Sequence, residues 1–127
     1  MSLRTPLSRV RGLGAAGEGV HHWWVQRVTA VALVPLAVWF LVSLLTLPAL
    51  DYATVTAWLR GIWSATLMVL FVACAAWHSR LGVQVVIEDY VHDSGLKALA
   101  LVLSMFVHVV MALAGVLAVL RIAFGSG

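Results

Sequence analysis

Charge is what this sequence has least of. Only 10% of its 127 residues are Asp, Glu, Lys or Arg, where soluble domains carry roughly a quarter. A surface so poor in charge is not one built for water. With 63% hydrophobic residues and a mean hydropathy of +1.04, the chain reads as an integral membrane protein. Cysteine is nearly absent too: Cys74 stands alone, so no intrachain disulfide forms and no oxidising compartment is implied. Cys74 lies inside an apolar run and reads as a small buried hydrophobe, with haem ligation as the sharper alternative. Residues 1–20 lack the apolar core of a secretory signal, so no cleavage is expected. Arg4, Arg9 and Arg11 give this segment a resemblance to a mitochondrial transit peptide, but it runs almost directly into the first apolar run. The basic balance, net +3 with pI near 9.8, does not mark a nucleic-acid binder. Its cations are few, scattered and placed beside apolar runs, where they act as topology signals.

Three such runs are present, at 28–47, 62–87 and 98–120, each long enough to cross about 30 Å of hydrocarbon. They predict an all-α membrane protein with three transmembrane helices in one domain, 1–127, preceded by a polar segment 1–27. Pro35 falls within the first run, where neighbouring helices can satisfy the carbonyl it frees. Trp23 and Trp24 are natural anchors at the headgroup boundary. In the connection 48–60, Asp51 is placed to cap a short helix; in the polar loop 88–97, Ser94 is placed to cap the third span. Arg4, Arg9, Arg11, Arg27, Arg80 and Lys97 fall on or toward one side, and only Arg60 and Arg121 mark the other. The N-terminus and the 88–97 loop are therefore expected in the cytoplasm, with the C-terminus across the membrane.

An ionisable residue inside a spanning helix is costly in hydrocarbon and marks a functional site by default. His78 is that residue. Positions 78, 81, 82, 85 and 89 share one helical face, and the climb from His78 to Asp89 is roughly 16 Å. One stripe thus joins a buried imidazole to a carboxylate near the surface. Arg80 either snorkels to the headgroups or neutralises a buried anion. His108, mid-way along the third run, either pairs with Ser, Thr or a carbonyl or serves as a ligand. His21 and Arg27 either touch headgroups or reach one anionic group at the mouth of the bundle. Bis-His ligation of a b-type haem takes two facing imidazoles, so His78 needs His108 or a residue of another subunit. Gly82 clears space on the His78 face, and His21, Arg27 and Arg80 offer charge-assisted bonds to haem propionates. A phenol such as Tyr90 can hydrogen-bond a quinone oxygen while Asp89 orients it or relays protons. The plainer reading makes both an interfacial helix end.

Two motifs give the chain a family resemblance: Gly19-Val20-His21 with Arg27, Thr29 and Ala30, and His78 followed by Gly82, Gln84, Asp89, Tyr90 and Val91. In these it resembles the hydrophobic membrane-anchor subunits, of the D type, of succinate dehydrogenase, the succinate:quinone oxidoreductase of respiratory complex II. The resemblance implies a six-helix bundle shared with a second, cytochrome b-type anchor of the C type, one b-type haem held between the two, and His78 as the axial ligand from this side. It implies that His21 and Arg27 lie near the propionates and that Tyr90, with Asp89 beside it, contacts ubiquinone. The remaining partners would be the iron–sulfur subunit and the flavoprotein subunit that oxidises succinate, so the chain alone is not expected to be an enzyme. The bacterial inner membrane is the expected location, in preference to the mitochondrial one. The competing reading is a self-contained di-haem cytochrome using His78 and His108.

Overall fold

Inside hydrocarbon a backbone N–H or C=O has no partner but its own chain, so apolar runs of this length close into helices. A computed structural model describes residues 16–125 and shows α1 (Ala16–Thr46), α2 (Tyr52–Leu59), α3 (Ile62–Tyr90) and α4 (Ser94–Phe124). No strand occurs among the described residues. Three stretches, Gly19–Thr46, Ile62–Tyr90 and Ser94–Phe124, are long and apolar enough to cross a membrane, and the protein is a multi-pass all-α membrane protein. Helices of 29 to 31 residues rise about 44–46 Å. Each therefore extends past the hydrocarbon layer at its ends.

Except for Leu47, which follows the end of α1, the expected runs fall inside these helices, and the differences lie at the ends. α1 begins well before Val28, so His21, Trp23 and Arg27 are helical. Arg4, Arg9 and Arg11 lie outside the described residues. The expected loop 88–97 shrinks to 91–93, because Glu88, Asp89 and Tyr90 complete α3. Asp93, not Ser94, caps α4: its carboxylate accepts the Leu96 N–H at 2.8 Å. A carboxylate there also meets the positive end of the helix dipole, which a hydroxyl does less well. Asp51 caps α2 as expected, accepting the Thr54 N–H at 2.7 Å. That backbone bond, with help from the Thr54 side chain, holds the Asp51 carboxyl below the usual carboxylate range.

α3 is the middle element. It packs against α1 on one side and α4 on the other, and the described parts of α1 and α4 make no close backbone approach to each other. Phe40 stacks on Phe71 across the α1–α3 seam, with centroids 5.3 Å apart. Across the α3–α4 seam Gly115 is the close approach, since a Cβ there would lie 2.8 Å from Val72 Cγ1. Gly82 has room by comparison: its missing Cβ would meet only Gln26 Nε2, at 3.9 Å. α2 returns to the bundle through Leu59, which is buried with Ala65 and Val119, and through Trp58, stacked on Trp39. Among the described residues only Leu59, Ala65, Leu81 and Val119 are buried. The apolar side chains that remain exposed are those a membrane or another protein would cover.

Candidate functional site

The helical register puts His78 on the side of α3 that faces α1. There it is half-buried, with Nδ1 2.9 Å from the Thr29 hydroxyl. No hydrogen bond reaches its Nε2 among the described residues. Thr29 is also tied to its own helix, its Oγ1 lying 2.8 Å from the Val25 carbonyl and 3.0 Å from that of Gln26. One turn along α3 from His78, the Cys74 thiol donates to the Thr29 carbonyl at 3.5 Å. Two residues one turn apart on α3 thus grip a single residue of α1.

His108 lies in a different setting. Its Nδ1–H donates to the Ser104 carbonyl at 2.7 Å. That fixes the tautomer, leaving Nε2 to accept from the Ser79 hydroxyl at 3.3 Å. Both nitrogens are occupied by its own chain, and the second bond ties α4 to α3. This is the serine and carbonyl pairing open to a mid-span histidine.

At the end of the bundle where α1 and α4 begin and α3 ends, two cavities flank the α1–α3 seam. The larger, of about 610 Å³, is lined by His21, Trp77, Arg80, Gln84 and Glu88 among others. The smaller, of about 380 Å³, is lined by Gln26, Arg27, Gly82 and Val85. Gly19 and His22 line both and stand between them. The three sequence-nominated cations are therefore not brought to one point: His21 and Arg80 share a cavity, and Arg27 lines the other. The helix dictates this, since Arg80 is two residues past His78 and hence about 160° round α3. Arg80 lies over the Trp77 ring at 5.0 Å, and Arg27 over Trp23 at 5.2 Å. Asp89 is exposed, and Tyr90 is 78% exposed at the end of α3. That end is joined to α4 by Lys97, whose Nζ donates to the Glu88 carbonyl at 3.0 Å. Between the cavities, His22 Nε2 and Gln26 Oε1 are shielded and have no hydrogen-bond partner among the described residues. Among the described residues no group of three His, Cys, Asp or Glu is placed to hold a bare metal ion.

A model of the succinate dehydrogenase/fumarate reductase transmembrane subunits matches residues 1–120. The chain belongs to that family. It is 30% identical over 122 residues to the succinate dehydrogenase hydrophobic membrane anchor subunit of Paracoccus denitrificans, covering 96% of this chain and 94% of that one. The corresponding protein of Rickettsia conorii is 32% identical over 89 residues, 69% of this chain and 71% of its own. The succinate dehydrogenase membrane anchor subunit of Reclinomonas americana is 31% identical over 89 residues, 68% and 74% of the two chains. No solved structure matches. In this anchor-family chain, sequence reasoning passed over four contributors to the site. Thr29 stood in the motif without a role, and Cys74 was read as a small hydrophobe. His22 and Gln26 are one turn apart on the α1 face that meets Gly82, a pattern visible only once α1 is known to extend back through them.

Proposed function

We propose that this chain is the membrane anchor of a succinate:ubiquinone oxidoreductase. It pairs with a cytochrome b-type anchor of the C type in a six-helix bundle and holds the iron–sulfur and flavoprotein subunits at the cytoplasmic face of a bacterial inner membrane. Its N-terminus is cytoplasmic and its C-terminus periplasmic. The observation that carries the reading is the His78 imidazole, set in the middle helix of an anchor-family chain with Nδ1 engaged by Thr29 at 2.9 Å. Its Nε2 is left for a metal. Since no cluster on this chain offers three donors among the described residues, the remaining ligands must come from elsewhere. A porphyrin and a partner's imidazole meet that need, so His78 fits as one axial ligand of a b-type haem shared with the second anchor.

A haem bound there supplies a one-electron store near the quinone site. The rest of the work falls to side chains. His21, Arg27 and Arg80 meet the carboxylates of the haem propionates by charge-assisted bonds. Because these cations line separate cavities, replacing Arg27 tests one side of the seam and replacing His21 with Arg80 tests the other. The Tyr90 hydroxyl donates to a ubiquinone oxygen, and Asp89 orients the phenol or passes it protons. The exposure of both leaves them free to meet a site completed by the partner subunits. Succinate oxidation is the flavoprotein's task. The di-haem alternative would require His108 to give up the Ser79 bond at Nε2.

The test is a reduced-minus-oxidised optical spectrum of the assembled complex with haem quantification, native against His78→Ala. Loss of the low-spin b-type signal in the variant is the expected result. An unaltered spectrum would remove His78 as a ligand. For the quinone site, Tyr90→Phe is expected to slow quinone reduction while succinate oxidation with an artificial acceptor continues at the native rate.

A further inference from the structure

We propose that Thr29 is a positioning residue for His78, its hydroxyl accepting the imidazole Nδ1–H and so holding the ring in the tautomer whose lone pair sits on Nε2. The inference rests on the reading of His78 as a haem ligand and assigns a role to the residue across the seam. A threonine hydroxyl has one proton and two lone pairs. The Val25 and Gln26 carbonyls, at 2.8 and 3.0 Å, can only accept. His78 Nδ1, at 2.9 Å, can do either. When the hydroxyl proton goes to the carbonyls, the oxygen's lone pairs are free for Nδ1–H and every polar atom of the chain Nδ1–H···Oγ1–H···O=C is used. The opposite assignment places the imidazole proton on Nε2, where no acceptor exists among the described residues. An orphaned donor inside a membrane bundle is the costlier state.

The placement of Thr29 is itself constrained. Its two back-bonds to the preceding turn and its branched Cβ restrict χ1, and the Cys74 thiol donates to its carbonyl. The hydroxyl is thus a fixed acceptor. A fixed acceptor on the outer nitrogen of a metal-bound histidine sets ring orientation and raises the basicity of the inner one. A more basic imidazole favours ferric over ferrous iron.

The experiment uses the assembled four-subunit complex with Thr29→Val, which keeps the branched shape and lacks the hydroxyl, and Thr29→Ser, which keeps the hydroxyl. Two quantities are read: the haem midpoint potential, and the affinity for haem measured by its transfer to excess apomyoglobin. Thr29→Val is expected to raise the potential and weaken haem retention about 10- to 100-fold, and Thr29→Ser to stay close to native. Native behaviour in Thr29→Val overturns the proposal. So does equal damage in Thr29→Ser, which would make the contact one of packing alone. If Thr29→Val does not assemble, redox-difference infrared spectra of the native complex with isotope-labelled histidine decide the matter. A hydrogen-bonded Nδ1–H on the ligating ring supports the role, and a free one overturns it. His78→Ala separates the two ideas: an unchanged haem spectrum there removes the ligand assignment, whereas haem loss there with a native Thr29→Val removes only the positioning role.

Discussion

At the scale of single residues, two histidines of one chain differ by what their nitrogens touch. Among the described residues His78 keeps one nitrogen open beside Thr29, and His108 spends both on Ser104 and Ser79. His108→Gln is therefore expected to leave the haem spectrum native while lowering thermal stability by about 0.5–1.5 kcal/mol, the worth of an interhelical bond in a membrane. Loss of the haem signal in that variant would reverse the two roles. Asp51 makes a prediction about pH. Its folded pKa lies below the ordinary value, so its cap is fully present above about pH 4 and is lost as pH falls through the depressed folded value. Protection of the Thr54 amide from hydrogen exchange, measured against the intrinsic rate at each pH, is expected to hold from neutral pH down to that range and to fall below it. Asp51→Ala should show the lower protection at every pH. Asp51 was readable from its place before an apolar segment. Thr29 was not, because a hydroxyl's partner across 49 positions leaves no trace in local spacing.

At the scale of the helices, hydropathy located all three spans, and the helices run on beyond most of the limits it set. It registers where hydrocarbon begins, whereas a helix continues wherever its backbone bonds are satisfied, through His21 at one end and Tyr90 at the other. The cap of α4 went to Asp93 in place of Ser94 because both precede an apolar run and only geometry separates them. Gly115 shows the same limit: within a run of Ala, Val and Leu it looks ordinary, and only Val72 across the seam gives it meaning. Gly115→Leu is expected to force α3 and α4 apart and to destabilise the complex by about 1–3 kcal/mol, read as a lower melting temperature of the detergent-solubilised complex. Gly82→Ala, with its 3.9 Å clearance, should leave that temperature nearly unchanged.

At the scale of the whole molecule, a middle helix with one neighbour on each side leaves the layer open above and below. Membrane character was plain from composition, but this layout was not, since nothing in three similar apolar runs says which lies between the others. The sequence placed His21, Arg27 and Arg80 near one membrane edge, and the folded seam divided them between two cavities. The layout also implies an order of events. α3 and α4 are joined through 91–93 alone, so they close as a hairpin at little entropic cost. α1 is separated from α3 by α2 and its flanking turns, and it docks chiefly through side chains. Until it docks, His78 has no Thr29 to choose its tautomer. On the proposed ligand role, cofactor loading would double as a checkpoint: a chain whose first helix has not arrived would present an imidazole not yet set to receive iron.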